Sequence, residues 1–310
     1  MIINTGMRTD IPAFYSKWLL NRINEGYVYV RNPFFRNKVT KYRLDPNVVD
    51  CLAFCTKNPH PLVNYLSELD KFRQFWFITI TPYGREIEPN VPDKRQVIED
   101  FKKISLHIGT NSIALRYDPI IINNKYTIEY HIKCFDKLLS ELAGYTRDCT
   151  ISFIDLYEKV KKNAFKTREV TREEQIVLAK EFVAISKKYN IKIHGCCEGE
   201  FLKEYGVDIT GCMSKEIVER AIDNKLIVPI TNRKRAGCNC LLGNDIGEYN
   251  TCMHLCKYCY ANYSKELVLE NIKKHDPNSP FLIGKLEEND EIHEAKQESY
   301  IDKYTQISLF

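Results

Sequence analysis

What most restricts the fold of this chain is a repeated alternation of short apolar runs with amphipathic stretches. The β-like runs are Met1–Asn4, Cys51–Cys55, Phe75–Thr81, Ser112–Tyr117, Thr150–Ile154 and Ile191–His194. Helical patterns follow at Ala13–Asn24, Pro61–Phe72, Lys94–Ile108, Ile128–Ala143 and Arg172–Tyr189, with two shorter ones at Glu200–Tyr205 and Ser214–Asp223. Strands that alternate with helices build βαβ units and a parallel sheet. The runs are nearly continuously apolar, as strands covered on both faces are. Six such units predict an α/β fold of the partial βα-barrel (TIM-like) kind, which a seventh or eighth unit would close. Tyr27–Leu44 breaks the rhythm and reads as an inserted strand pair, YVYVRNP with KVTKYRL.

Polar residues follow the runs: Arg8-Thr9-Asp10, Thr56-Lys57-Asn58-Pro59, Thr81-Pro82-Tyr83-Gly84, Arg116-Tyr117-Asp118-Pro119, Ser152 to Asp155, and His194 to Glu198. Any one such group can simply cap a strand and start a helix. In a parallel barrel, however, all of them share the C-terminal mouth, where active sites form, so six together predict a polar pocket.

Regular alternation stops after Asp223. The barrel is expected over residues 1–228, a cysteine-rich loop over 229–263, and a helix with a polar tail packing on the barrel over 264–310. That last helix is read at Ser264–Lys274. The tail from Asp276 to Gln306 is expected on the surface, with the apolar Ile307–Phe310 pinning it down.

Lys and Arg number 45 against 41 Asp and Glu, a net charge of +4, which predicts no general affinity for nucleic acid or membrane. A local basic patch, Thr231–Arg235, leaves nucleic acid open, although a solvated connector is the plainer reading. No apolar run approaches a membrane span. MIINTGMRTD lacks the basic and apolar regions of a signal peptide, so the expected compartment is the cytoplasm. Twelve cysteines there are not expected to be disulfides. Cys51, Cys55, Cys134 and Cys149 suit small buried hydrophobes; the five cysteines between Cys238 and Cys259 do not.

Those five read Cys238-Asn239-Cys240 and, after Asp245-Ile246-Gly247, Cys252-Met253-His254-Leu255-Cys256-Lys257-Tyr258-Cys259. Three thiolates spaced CxxxCxxC can take three corners of a [4Fe–4S] cubane and leave the fourth iron open. An open iron can chelate S-adenosylmethionine, and electron transfer then cleaves it to a 5′-deoxyadenosyl radical. Tyr258 stands where radical-SAM enzymes often place an aromatic. The competing reading is a structural zinc site on Cys238, Cys240, Cys256 and Cys259, with His254 in reserve. A fourth thiolate from Cys238 or Cys240 would instead close the cluster. The expectation is that these two lie near the loop without completing its ligand set, ordering it or holding a second metal.

Nearly the whole chain resembles a bacterial and archaeal family of unknown function whose C-terminal cysteine cluster looks like the N-terminal cluster of radical-SAM proteins. The resemblance rests on RTDIPAFY with Trp18, RNP (Arg31–Pro33), TKNP (Thr56–Pro59), TPYG (Thr81–Gly84), RYDPI (Arg116–Ile120), CCEGE (Cys196–Glu200), Cys212, and the terminal CNC, DIG and CMHLCKYCYAN. Gly6-Met7, Cys55 and Leu115 depart from the pattern and would reshape the pocket walls. The resemblance implies a radical-SAM barrel with its cluster loop moved to the C-terminus and folded over the mouth near Arg8, Asp10, Lys57, Arg116 and Asp118. A cluster of that kind implies an electron donor such as a ferredoxin or flavodoxin, and a substrate that the residues do not identify.

Arg8, Asp10 and Tyr258 are candidate cofactor-binding residues, and Lys57, Arg116, Asp118 and Cys197 candidate catalytic ones. Lys57 and Arg116 can bind a carboxylate or phosphate; equally, each can form a local ion pair with Asp10 or Asp118. A thiol among Cys196, Cys197 and Cys212 can give a hydrogen atom to a substrate radical or ligate a second metal, while inert buried thiols are the plainer reading. His131 is read as structural.

Overall fold

The computed structural model describes residues 1–156, 160, 167–229, 238, 240, 241 and 243–303. The first half contains β1 (Ile2–Asn4), α1 (Ile11–Phe14), α2 (Ser16–Glu25), β2 (Tyr27–Arg31), β3 (Lys38–Arg43), β4 (Cys51–Thr56), α3 (His60–Val63), β5 (Gln74–Thr79), α4 (Lys94–Ile108) and β6 (Ile113–Ile120). The second half adds α5 (Ile128–Leu142), β7 (Asp148–Phe153), α6 (Arg172–Lys188), β8 (Lys192–Gly195), α7 (Lys215–Ile222), β9 (Asn244–Asp245), α8 (Lys265–Ile272) and β10 (Glu291–Glu294).

Seven strands form one parallel sheet in the order β8-β7-β6-β5-β4-β1-β9. From β4 to β8 each unit adds its strand beside the last, so all the strand C-termini lie along one edge. Among the described residues no pairing joins β8 to β9, and the sheet is open where a closed barrel would be sealed. The seventh strand comes from the cysteine-rich segment: Ile3 and Asn4 of β1 pair with Asn244 and Asp245. Gly243 permits this approach, because a Cβ there would collide with the carbonyl of Ile2.

Side-chain alternation sorts the strand residues onto two faces. Ile3, Leu52, Phe54, Trp76, Ile78, Ile113 and Leu115 pack with Trp18, Phe101, Phe135 and Phe182 from the helices on one side. Ile2, Cys51, Ala53, Phe75, Phe77 and Ala114 face the other way and are covered by Cys212, Met213 and the apolar residues of α7, Ile217, Val218 and Ile222. Both faces are therefore dry, which is why the strands read as unbroken apolar runs.

Helix starts follow side-chain capping. Asp93 caps α4 through the Arg95 amide, Thr171 forms a capping box with Glu174 on α6, and Ser264 caps α8. Two expected helices are interrupted. The stretch Ala13–Asn24 breaks at Tyr15, whose hydroxyl donates to the Thr251 carbonyl at 2.7 Å. Pro61–Phe72 becomes α3 and a separate 3-10 turn, Leu66–Leu69; Leu62, Leu66 and Leu69 are all buried, so the helical spacing marks one buried side of two turns.

The inserted pair β2–β3 is antiparallel, and β10 joins it parallel to β3. The tail strand β10 is exposed and is held by Lys38–Glu291 and Lys41–Glu294 pairs, but the tail expected on the surface is not exposed throughout, because Phe281, Leu282 and Ile283 are buried. Ahead of it, Trp18 Nε1 donates to the carbonyls of Ser279 and Phe281 at 2.9 and 3.0 Å. Thr231–Arg235 and Ile307–Phe310 lie outside the described residues. No described helix is long and apolar enough to cross a membrane.

Trp76 is fully buried, stacks on Phe54 with ring centres 4.1 Å apart, and donates through Nε1 to Gln74 at 2.9 Å. Trp76→Ala is expected to lower unfolding free energy by about 3–5 kcal/mol. The exposed Phe34→Ala should stay within about 0.5 kcal/mol of the parent. Urea denaturation measures both, and comparable losses for the two would contradict this assignment of the core.

Candidate metal centre at the strand ends

Just past β1, Asp10 is buried and saturated. Its Oδ1 accepts from the Ala13 amide at 3.0 Å and caps α1. Its Oδ2 accepts from the Lys57 amide at 2.8 Å and lies 2.9 Å from His254 Nε2. One carboxylate thus joins the ends of β1 and β4 to the cysteine loop.

The Lys57 ammonium turns the other way, to Glu88 at 2.9 Å. Its ion-pair partner is therefore Glu88, in the β5–α4 loop, and not Asp10 or Asp118. Glu88 is 1% exposed and also holds Lys94, the Thr81 hydroxyl at 2.6 Å and the Tyr258 hydroxyl. Burial pushes its carboxyl up, but Lys57 and Lys94 together overcome that and hold it at about 2. Lys57 Nζ also sits 5.5 Å from the centre of the Tyr258 ring.

The CxxxCxxC loop is laid over this polar floor. Lys257 donates its amide to Ile87 O at 3.0 Å, Asn90 Nδ2 donates to Met253 O at 2.7 Å, and Asn262 Nδ2 donates to Cys252 O at 2.7 Å. The Cys259 amide closes a turn onto Cys256 O at 3.0 Å. Leu255 sits at φ 54°, a left-handed conformation uncommon for a non-glycine residue. Cys252 and Cys256 are buried and Cys259 half-buried. Burial pushes the thiols of Cys252 and Cys256 up, Cys256 to about 12; Cys252 feels Asp10 and the other two cysteines, and Cys256 feels Lys57, Glu88 and Cys259. The three thiols are therefore electrostatic neighbours. Among the described residues no three His, Cys, Asp or Glu side chains stand where they would hold one metal ion. A cubane asks for something different, since each thiolate binds its own iron.

Arg8 is tied to the DIG turn: its Nε donates to Asp245 Oδ1 at 2.9 Å, and the Met7 amide donates to Oδ2 at 2.8 Å. Arg116 pairs with Asp118, the local pair anticipated from the sequence, and lies over the Phe77 ring at 5.2 Å. Its Nη1 points at the sulfur of Cys212 (3.7 Å), and Nη2, which also holds Asp118, points at that of Cys196 (3.6 Å).

Cys238 and Cys240 gather around those same thiols. Cys240 Sγ is 3.3 Å from Cys212 Sγ and accepts from the Met213 amide at 3.3 Å. Cys238 stands beside Cys240 and Cys197, near enough for each to affect its thiol. The strand ends therefore carry two cysteine groups, with Cys55, Arg116 and Asp118 in electrostatic reach of one another beside them. Sequence reading missed Glu88, Lys94 and Asn90. They sit in or beside an irregular Pro-containing loop without periodicity, where Glu88 is one of several charged residues behind TPYG and nothing singles it out.

An α/β protein with a parallel sheet and a buried three-cysteine loop across its strand ends is the class these features define. The chain belongs to the family of a domain of unknown function, DUF1848, whose model matches residues 2–261 and so spans every strand-end residue named above. No curated protein and no solved structure matches it.

Glu88 supplies a pH test. Its folded-state value of about 2 lies below the ordinary 4.5, so its stabilisation is complete above about pH 5 and is lost as pH falls towards 2. Glu88→Gln leaves two lysines partnerless and is expected to cost about 3 kcal/mol at pH 7, a difference that shrinks as pH falls. Urea midpoints of parent and variant between pH 2 and 8 read this directly. A pH-independent difference would show that Glu88 is not ionised in the folded chain.

Proposed function

We propose that this chain is a radical-SAM-like iron–sulfur enzyme, with a [4Fe–4S] cluster on Cys252, Cys256 and Cys259. The observation that carries the reading is where those thiols lie: in mutual electrostatic reach, Cys252 and Cys256 buried and Cys259 half-buried, at the C-terminal edge of a parallel sheet, beside Lys57, Glu88 and Asp10. The strand order from β4 to β8 suits a partial βα barrel, in which this edge is the mouth.

The residues present fit such a cluster. Three thiols are supplied by one short loop, and the nearest alternative ligands are occupied. His254 is engaged by Asp10 and by the Asn90 carbonyl, 3.3 Å from its Nδ1. Cys238 and Cys240 are engaged with Cys197 and Cys212. These engagements favour an open fourth position over a closed cluster or a zinc site assembled from both motifs. When bound, the cluster supplies the electron that cleaves S-adenosylmethionine reductively.

The chain's own residues prepare that site. Lys57 offsets the charge of Cys256 as a thiolate, while Glu88 fixes both Lys57 and the Tyr258 hydroxyl. Asp10 holds His254 and so the first turn of the loop. Arg8 holds the DIG turn that leads into it. Arg116 and Asp118 lie farther along the mouth, where a substrate carboxylate or phosphate would exchange one partner of their ion pair. The reducing equivalent comes from a small electron carrier of the ferredoxin or flavodoxin type.

Anaerobic reconstitution with iron and sulfide, followed by dithionite and S-adenosylmethionine, tests the reading. About four irons and four sulfides are expected on the cysteine loop, with 5′-deoxyadenosine formed above background. Serine at Cys252, Cys256 or Cys259 should abolish that product. A loaded cluster that yields no 5′-deoxyadenosine refutes the S-adenosylmethionine chemistry, and loss of iron on replacing Cys238 or Cys240 alone would indicate a closed cluster.

A further inference from the structure

Five thiols on three separate segments meet beside Arg116, outside the CxxxCxxC loop. Cys196 and Cys197 follow Gly195, the last residue of β8. Cys212 stands just before Ser214, the N-cap of α7. Cys238 and Cys240 come from the segment that runs into β9. Cys212 Sγ lies 3.9 Å from Cys196 Sγ and 3.3 Å from Cys240 Sγ. Cys238 and Cys197 stand beside these three thiols, near enough to shift Cys240 and Cys196.

Packing alone does not account for this grouping. Cys51 and Cys149 lie among apolar side chains as small hydrophobes do. Cys212 also covers the apolar face of the sheet, but it touches both Cys196 and Cys240, and Cys196 and Cys212 face a guanidinium already balanced by Asp118. The backbone is also shaped to them. Cys197 takes φ 59°, and the Leu241 amide donates to Met213 O at 2.8 Å, which fastens the CxC segment to the Cys212 turn.

We propose that this nest is a second metal site, which takes one divalent soft ion of the zinc type on four of the five thiolates. Sulfur at about 2.3 Å from zinc in a tetrahedron puts ligand sulfurs about 3.8 Å apart, and the two measured separations bracket that spacing. A cubane spreads its thiolates over separate irons and needs no sulfur–sulfur contact. Among the described residues no three metal-ligating side chains already stand around one point, so the thiols close in on the ion as it binds. On binding, each ligating thiol gives its proton to solvent and its sulfur to the ion. The four thiolates and the ion form a doubly negative centre, and Arg116 is the cation placed against it. Such a site ties the end of β8, the start of α7 and the CxC segment together.

The test uses the full-length chain with Cys252, Cys256 and Cys259 replaced by serine, so that it does not depend on the function proposed above. The chain is purified under reductant, stripped with a chelator and titrated with Co(II), then Zn(II). One Co(II) per chain is expected, with the thiolate charge-transfer band and intense visible absorption of a tetrahedral sulfur site, displaced by one Zn(II). Adding Cys212→Ser or Cys240→Ser should weaken Co(II) binding by at least about 100-fold, on the scale of lost metal–ligand interactions. Should the serine chain fail to fold by circular dichroism, cysteine alkylation of the unmodified chain with and without Zn(II) gives the same information. Zinc is expected to shield Cys196, Cys212 and Cys240. Absence of stoichiometric binding and shielding, indifference to Cys212 and Cys240, a native Cys212–Cys240 disulfide in place of metal, or iron with sulfide at this nest would each overturn the proposal.

Discussion

The arrangement at the strand ends depends on one buried carboxylate. Asp10 takes a donor from α1, from the chain leaving β4 and from His254 of the cysteine loop. A carboxylate removed from water is tolerable only when its lone pairs are met, and here each donor comes from a different part of the chain. The same requirement that keeps Asp10 satisfied thus fixes where the loop can dock. Tyr15, Asn90 and Asn262 then hold its backbone with single hydrogen bonds.

Charge along this edge is balanced in advance. Lys57 and Lys94 share Glu88, Arg116 holds Asp118, and Arg8 holds Asp245. The cations are therefore fixed donors and not free counter-ions, and a bound anion gains from them only by exchanging a partner. The thiols divide along the same line, with Cys252 and Cys256 on the Asp10–Lys57 side and Cys196 and Cys212 on the Arg116 side.

The sheet was legible because both of its faces are dry. Runs such as Cys51–Cys55 and Phe75–Thr81 are too short for buried helices and fall on β4 and β5, and α4 matches its pattern to the residue. Periodicity reports burial and not continuity, so it fused α1 with α2 and merged α3 with the turn after it. A strand of two residues such as β9 leaves no pattern, and β10 is too exposed to show one. In the site, the cysteine loop and Asp10 stood out by spacing and position. The Lys57–Glu88 pairing did not, because nothing in sequence says which of several nearby carboxylates a long side chain will reach. The turn of Cys238 and Cys240 towards Cys212 was equally hidden, since it depends on how α7 crosses the second face of the sheet.

Asp10 and His254 are 244 residues apart in the chain, and β1 has its outer neighbour only once Asn244 arrives. A chain made from its N-terminus folds its early parts first. On the ribosome, β1, β4 and β5 therefore stand with an open edge and an uncovered acidic floor until the cysteine loop follows. That loop emerges only after β4 to β8 have all been made. Any metal held by Cys252, Cys256 and Cys259 must then be delivered after the strands β4 to β8 have left the ribosome, to a floor laid down long before its lid.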